Sequence, residues 1–315
     1  MENENTMAWC GSKAFEYEGL GSFDKSDTIY HYTSPQGLLG ILENKQVVFW
    51  FSRYDCMNDI SEGKNVLEVY NEVCEELTNE KKMDNDFVKA IKDIEIDDRE
   101  LFITYNEDNE MLNVKSLLPE KYICCFSKNQ DSLPMWNYYT KSGRYEGYNI
   151  GVSFFETQHK GIQNYFGKNY CFHIYKVIYN EGDKKSKLRK EIEECYEKYK
   201  SGFASLNSIK TILMQFLNNC SLIFKNSSFQ HEEEIRAVIT IPKEIKERRF
   251  EIKYRPVNGY IVPYIEVPFP KEIIKEITIG PLLKDKIALN TVIDLLKSRG
   301  YDSVEVLNSN IPIRY

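Results

Sequence analysis

The run Ile-Tyr-His-Tyr-Thr at 29–33 places a histidine, His31, inside a segment whose residue types are typical of a β-strand. An apolar segment with Ser34 as its predicted N-cap follows, and then a second strand pattern at 46–52. An imidazole between apolar strand residues needs a hydrogen-bond partner, because burying an unpaired polar group costs free energy. The chain must therefore fold so that another part of the protein, or a bound ligand, supplies that partner.

Strand and helix patterns alternate irregularly along the rest of the chain. We predict further strands at 122–127, 148–154, 170–179, 235–241, 251–254, 260–267, 276–280 and 303–307. We predict helices at 34–44, 62–79, 132–141 and 284–299, with helical insertions near 80–118 and 183–225. The expected fold is α+β, with a mixed, mainly antiparallel sheet core in one domain, 28–315, after an N-terminal extension, 1–27.

The composition limits the classes of function. The 315 residues carry a net charge of −7 at pH 7, which excludes a positive field over the whole surface. Local basic segments remain, the densest at 184–190 and 243–249. The eight cysteines form no Cys-x-x-Cys pair and have no zinc-site spacing with the four histidines, so we expect no metal. The Walker loop, GxGxxG, GxSxG and HExxH motifs are also absent from the sequence.

The sequence also predicts the cellular compartment of the protein. Its first residues, Met-Glu-Asn-Glu-Asn, are acidic and lead into no apolar stretch, so we expect no signal peptide. No apolar run approaches the roughly 18 residues that a membrane-spanning helix needs. We therefore expect a cytoplasmic protein with reduced thiols and no membrane contact, whose oligomeric state the sequence leaves open.

Three clusters combine residue types that carry chemistry. In the first, strand alternation places His31 and Thr33 on one face and Tyr30 and Tyr32 on the other. A neutral imidazole at His31 can hold a ribose hydroxyl or act as a base. The structural alternative is a core histidine that is bonded to the backbone.

The second cluster is aromatic and lies in the predicted helix 132–141. Trp136 and Tyr139 are three residues apart and share a helix face, with Tyr138 beside them. Such rings stack on flat groups such as nicotinamide or a base. An aromatic stripe of core residues is the alternative, and it needs no ligand.

The third cluster opens a strand in the last third of the chain. Glu232, Glu234 and Arg236 share one strand face because side chains alternate with a period of two. Two close carboxylates with an arginine can share acid–base work or stabilise positive charge in an oxocarbenium-like transition state. An exposed strand face with weak local ion pairs is the alternative.

Four short motifs follow one another in the chain: Tyr30-His31-Tyr32-Thr33; Ser52 with Asn58, Asp59 and Glu62; Cys125-Phe126-Ser127 with Asp131 and Met135–Tyr139; and Glu232-x-Glu234-x-Arg236. Over residues 28–282 this order resembles the bacterial and phage family catalogued as domain of unknown function 2971. One departure is Phe229, which stands where the family usually has a tryptophan and weakens a stacking contact. The family name implies no activity.

A second resemblance is to ADP-ribosyltransferases of the histidine–tyrosine–glutamate class. It rests on a strand-borne His-x-Thr, a helix and second strand, aromatic residues in mid-chain and a glutamate on a late strand. The resemblance implies an ADP-ribosyltransferase-like fold with NAD as substrate, in which His31 holds the ribose and Thr33 supports it. The implied NAD-binding residues are His31, Tyr32, Thr33, Ser52, Trp136, Tyr138, Tyr139 and Arg236.

The same resemblance implies catalytic roles for His31 and two glutamates. Glu234 would support the oxocarbenium-like state as nicotinamide leaves, and Glu232 would orient the acceptor nucleophile. Either Tyr139 or Tyr138 would stack on the nicotinamide ring.

The expected function is therefore an ADP-ribosyltransferase-like enzyme that cleaves NAD at the nicotinamide–ribose bond, in a toxin or antiviral defence setting. It would pass ADP-ribose to a nucleic acid or a protein. The alternative is a non-catalytic sensor of nucleotides or nucleic acids, with phosphate contacts from Arg236, Lys225 and the basic segment 184–190. A third possibility is a scaffold in which the motifs only pack and cap.

Overall fold

The computed structural model describes residues 9, 13, 28–43, 46–57, 62–92, 94, 100–105, 111–117, 119–140, 145–154, 171–243, 249–257, 259–283 and 285–313. Of 62–65, 100–105, 111–117, 171 and 242, only the backbone is described. Apart from residues 9 and 13, the predicted N-terminal extension lies outside the described residues. The predicted polar turn at Asn58 and Asp59 also lies outside them.

The strands are β1 (Ile29–Thr33), β2 (Val47–Arg53), β3 (Glu100–Tyr105), β4 (Met111–Leu117), β5 (Pro119–Ser127), β6 (Tyr148–Val152), β7 (Cys171–Lys176), β8 (Glu234–Pro242), β9 (Lys253–Val257), β10 (Tyr260–Phe269), β11 (Ile274–Ile279) and β12 (Glu305–Asn308). The α-helices are α1 (Pro35–Ile41), α2 (Glu62–Asn79), α3 (Asn85–Lys92), α4 (Leu133–Tyr139), α5 (Glu181–Lys200), α6 (Leu206–Ile223) and α7 (Lys286–Ser298). Short 3₁₀ helices span Tyr54–Cys56, Ser227–Glu232 and Lys271–Ile273. Every strand predicted from the sequence is present, with its ends shifted by a few residues.

One large sheet organises the protein around β5. Its strands follow the order β12-β11-β6-β1-β5-β2-β10-β9, and β8 pairs with both β5 and β7. All of its pairs are antiparallel except β11 with β12. The expected α+β class with a mainly antiparallel sheet is therefore confirmed.

The two edges of β5 are used differently. One edge pairs with β8 over the full strand, from Pro119 opposite Pro242 to Ser127 opposite Glu234. The other edge is shared, because β1 pairs with β5 only at Ser127 and β2 pairs only at Ile123 and the residue before it. Strands β1 and β2 therefore diverge beside the middle of β5.

The sheet separates two hydrophobic cores. On β5, Tyr122, Cys124 and Phe126 point into the first core, whereas Ile123 points into the second. Residues of α1 and α7 complete the first core, and residues of α2, α3, α5 and α6 complete the second. The buried side chains of β5 can therefore be assigned to the face of one core or the other.

The two predicted insertions have different outcomes. The segment 183–225 is helical, as α5 and α6. The prediction for 80–118 is wrong in its second half, where β3 and β4 form a separate two-stranded sheet. The physical reason is local, since Phe102–Tyr105 is aromatic and β-branched and favours a strand over a helix. The boundaries of a single domain, 28–315, stay a prediction.

No helix among the described residues combines the length and the apolar character that crossing a membrane requires.

Asp131 joins α4 to the segment after β12. Its Oδ1 accepts hydrogen bonds from Trp136 Nε1 at 2.7 Å and from Ser309 Oγ at 2.8 Å. Its Oδ2 accepts one from the backbone N–H of Asn310 at 2.8 Å. Trp136 is fully buried, so loss of this acceptor leaves an indole N–H without a partner in the core.

We expect Asp131→Ala to lower the free energy of unfolding by about 1–3 kcal/mol, the usual cost of leaving a buried donor unsatisfied. Asp302→Ala is the matched control, because Asp302 is exposed. Urea denaturation followed by tryptophan fluorescence measures both variants. Equal losses in the two variants would contradict the proposed link.

Candidate functional site

A buried network of four charged side chains lies where the 3₁₀ helix Ser227–Glu232 leads into β8. Lys225 Nζ donates to Glu232 Oε2 at 2.6 Å and to Glu234 Oε2 at 2.9 Å. Arg236 binds Glu234 through Nε at 2.9 Å and Nη2 at 3.1 Å, and its Nη1 donates to a backbone carbonyl of α6. All four residues are buried, Arg236 completely. Strand alternation correctly put Glu234 and Arg236 on one face, but Glu232 precedes the strand, in the 3₁₀ helix, and the exposed strand face with weak ion pairs is not what forms.

Glu233 explains how two carboxylates two residues apart can share one lysine. Its backbone is left-handed, with φ at 43°, and ends the 3₁₀ helix at the start of β8. The side chain of Glu233 is exposed, while its two neighbours point inward. The turn therefore brings Glu232 and Glu234 to Lys225 from two different elements.

The network keeps Glu234 ionised. Burial disfavours the charged form of Glu234, but the adjacent Arg236 and Lys225 outweigh it and lower its pKa to about 2. Burial also opposes the charge of Lys225, yet Glu234 and Glu232 raise its pKa above the ordinary value. Two negative and two positive groups balance, so the network is held as ion pairs and offers no proton donor near neutral pH.

Aromatic side chains of α4 connect this network to the surface. Tyr139 OH donates to Glu232 Oε1 at 3.2 Å, and the side chain of Tyr139 is 41 % exposed. Burial and the charge of Glu232 raise the pKa of Tyr139, so its hydroxyl stays protonated. Tyr138 is more exposed and packs its ring 5.4 Å from that of His231. Among the described residues, His231 Nε2 is buried without a hydrogen-bond partner.

Trp136 and Tyr32 are packing residues in this structure. Their rings meet edge to face at 4.8 Å. Tyr32 OH donates to the carbonyl of Asn129 and accepts from the N–H of Ser132. Trp136 is therefore a core residue, as the structural interpretation of the aromatic cluster predicted. Tyr138 and Tyr139 are exposed and accessible to a ligand.

His31 lies on the other side of the sheet. Its ring packs 5.4 Å from Phe49 and 5.5 Å from Phe126, on the face of the first core. Glu234 and Arg236 are on the opposite face, where Arg236 contacts the carbonyl of Leu222 in α6. The sheet thus separates the imidazole from the carboxylates that the resemblance would place with it.

The partner of His31 is the backbone of β5. Its Nδ1 lies 3.0 Å from the carbonyl oxygen of Cys125. That carbonyl lies on the stretch of β5 between the pairs made by β2 and β1, so the imidazole takes the place of a strand partner. Burial lowers the pKa of His31 and favours the neutral ring. Thr33 is buried on the same strand, two residues further on.

Ser52 also lies away from the charged network, although it is on the same face of the sheet. Its position on β2 is opposite Ile123, whereas Glu234 is opposite Ser127, four residues further along β5. Its hydroxyl accepts a hydrogen bond from Arg255 Nη2 at 2.8 Å. The structure therefore brings together Glu232, Glu234, Arg236 and Tyr139, with Tyr138 next to them, but not His31, Thr33 or Ser52.

Three of the five cations in the basic segment 184–190 are paired with carboxylates. Lys185 pairs with Glu72 and Glu76 of α2, and Arg189 pairs with Glu76 and Glu80. Lys184 is buried and pairs with Glu181. These side chains are not available as the phosphate contacts that the sensor alternative needs.

Sequence reasoning missed three groups around the carboxylates. Lys225 was expected to bind phosphate, whereas it joins Glu232 to Glu234. Tyr179 OH accepts the backbone N–H of Glu234 at 3.0 Å, and the thiol of Cys125 contacts the carboxylate of Glu234. The one signal in the sequence is Lys225 itself, a lone cation between an apolar helix and a glutamate pair.

We expect Glu234→Gln to lower the free energy of unfolding at pH 7 by on the order of 3 kcal/mol, since its folded-state pKa lies well below the ordinary 4.5. A lowered folded-state pKa stabilises the protein above pH 4.5, and this stability is lost as the pH falls toward 2. Urea denaturation of wild type and variant at several pH values should therefore show a difference that shrinks over that window. Glu233→Gln is the control, with little change at any pH. A difference between wild type and Glu234→Gln that is constant from pH 7 to pH 3 would contradict the network's charge state.

Comparison with known proteins gives one match. The model of a family described as a protein of unknown function, DUF2971, matches residues 135–237, about a third of the chain. The match runs from α4 into β8 and so contains Tyr139, Lys225, Glu232, Glu234 and Arg236. No curated protein and no solved structure matches the chain. The family match supports the resemblance to DUF2971 and brings no activity with it.

Proposed function

We propose that the protein is an ADP-ribosyltransferase-like enzyme that cleaves NAD at the nicotinamide–ribose bond. The observation that carries the proposal is the pair Glu232 and Glu234, joined by Lys225 beneath the half-exposed Tyr139, with Glu234 kept ionised by Arg236 and Lys225. ADP-ribose would pass to a nucleic acid or a protein, in the toxin or antiviral setting that the resemblance implies.

The charge of the pair suits this reaction. The C–N bond to nicotinamide breaks with its electron pair going to the pyridine nitrogen, which leaves positive charge on the ribose. A carboxylate that remains ionised stabilises that charge electrostatically, and the acceptor nucleophile then bonds to the same carbon and loses its proton. Because Glu234 stays ionised to low pH, it is suited to this role and not to general acid catalysis.

Access to the pair runs through Glu232. Within the part of the chain that the structure describes, its Oε1 is bonded only by the phenol of Tyr139, whereas both oxygens of Glu234 are held by Arg236 and Lys225. A ribose hydroxyl that displaces the Tyr139 hydroxyl would bind Glu232 directly. In this arrangement Glu232 contacts the substrate, Glu234 sets the charge behind it, and Tyr139 or Tyr138 supplies the stacking ring.

His31 has no substrate contact in this proposal. Its Nδ1 is bonded to Cys125 and its ring is on the other face of the sheet, so it acts by holding β5 in place. The sensor alternative is weaker, because Arg236, Lys225 and three of the five cations in the segment 184–190 are paired with carboxylates.

The three consecutive glutamates provide a matched test. Purified protein is incubated with NAD, with DNA, RNA or cell lysate as acceptor, and free nicotinamide is measured. We expect Glu232→Gln and Glu234→Gln to slow release by ~100-fold or more, the usual effect of removing a group that stabilises charge in the transition state. Glu233→Gln should release nicotinamide like wild type, because its side chain is exposed and outside the network.

Circular dichroism at the assay temperature first establishes that each variant is folded. Release that is equal in all four proteins would contradict a role for the pair. No release by folded wild type with any acceptor, together with retained binding of NAD, would favour the sensor.

A further inference from the structure

A second cluster of side chains lies on β2, β9 and β10, away from the carboxylate network. The guanidinium carbon of Arg255 lies 5.3 Å from the ring centre of Trp50 and 5.6 Å from that of Tyr264. The two rings are themselves 4.7 Å apart. Arg255 Nη2 donates to Ser52 Oγ at 2.8 Å. Stacking on aromatic rings holds the guanidinium in a fixed plane.

Arg255 has no carboxylate partner within the described part of the chain. Its Nε is buried and has no acceptor, which is costly for a charged donor. Lys253, two residues earlier on the same face of β9, pairs with Glu266 at 2.7 Å. Glu266 is the carboxylate that follows Tyr264 on this face of β10, and it is already paired with Lys253. Burial lowers the pKa of Arg255, but an arginine stays charged near neutral pH.

The indole of Trp50 is accessible to a ligand, because the residue is 42 % exposed. A cavity of about 300 Å³ lies on the same face of the sheet and is lined by Val48, Lys253, Glu266 and neighbouring residues, but not by Trp50 or Arg255. Glu266 pairs with Trp50 across the sheet, which places the cavity and the arginine on one continuous surface.

These features favour one chemical class of ligand. A planar guanidinium binds phosphate oxygens in pairs, and the Ser52 hydroxyl, which accepts from Nη2, holds this guanidinium in place. An exposed indole stacks on a nucleobase. We propose that Trp50, Ser52 and Arg255 form a binding site for a nucleotide, with Arg255 on a phosphate group and Trp50 on the base.

This site goes beyond the proposed reaction and does not depend on it. Arg255 and Ser52 make no contact with Glu232 or Glu234 among the described residues, so nucleotide binding and nicotinamide release can fail separately. If both are present, the site is suited to the adenosine phosphate end of NAD.

The experiment measures binding of ADP, adenosine and inorganic phosphate by isothermal titration calorimetry. We expect wild type to bind ADP more tightly than adenosine or phosphate. Arg255→Met should weaken ADP binding about tenfold or more, since a charged hydrogen bond to phosphate is lost. Lys275→Met is the control and should bind ADP like wild type, because Lys275 is an exposed lysine on β11, which pairs with neither β9 nor β10.

Three further variants keep the test decisive. Trp50→Ala should weaken ADP but leave phosphate unchanged, and Arg255→Lys keeps the charge without the planar fork if Arg255→Met does not fold. Glu234→Gln should bind ADP normally even where nicotinamide release is lost. Absence of ADP binding by wild type, or equal affinity in wild type and the folded Arg255 variants, would overturn the inference.

Discussion

The antiparallel pairing of β5 with β8 is the interaction on which the rest of the structure depends. It runs for nine residue pairs, ends at Ser127 opposite Glu234, and so fixes where the buried carboxylate lies. Because side chains alternate, this register also sends Glu234 and Arg236 to one face and Ile235 to the other. A shift of one residue would exchange the charged network with the apolar core. The opposite edge of β5 is shared by β1 and β2. Between their pairs, the backbone carbonyl of Cys125 is the hydrogen-bond partner of His31.

Local patterns predicted much of the fold because local physics decides it. The strands at 29–33 and 46–52 and the helix capped by Ser34 follow from residue type and capping, and Ser34 does accept the N–H of Gly37. The alternation of side chains along β1 also correctly predicted that His31 and Tyr32 lie on opposite faces of the sheet. Whether His31 and Glu234 share a face depends on the registers of β1, β5 and β8, which are long-range pairings. A single sequence does not encode those registers in any local pattern, so the resemblance placed the two residues together and the structure does not.

Charge patterns were harder to interpret from sequence for the same reason. The basic run on α5 has the composition of a phosphate-binding segment, but the acidic face of α2 packs against it and pairs with Lys185 and Arg189. Arg255 shows the opposite case. It is an isolated arginine in sequence, next to a tyrosine and a proline, and only the pairing of β9, β10 and β2 brings Trp50, Ser52 and Tyr264 around it.

The buried network is a stronger argument for function than for stability. Bringing two carboxylates, a lysine and an arginine out of water costs desolvation free energy that their mutual attraction only roughly returns, and an apolar cluster of similar volume would fold as well. Its value therefore lies in what ionised groups do at that place. Lys225 and Arg236 hold Glu234 charged in a region of low dielectric, where a charge acts on a neighbouring group far more strongly than in water. Tyr139, which is 41 % exposed, bonds Glu232 Oε1 through its hydroxyl, so the network combines a preorganised carboxylate with a defined point of entry.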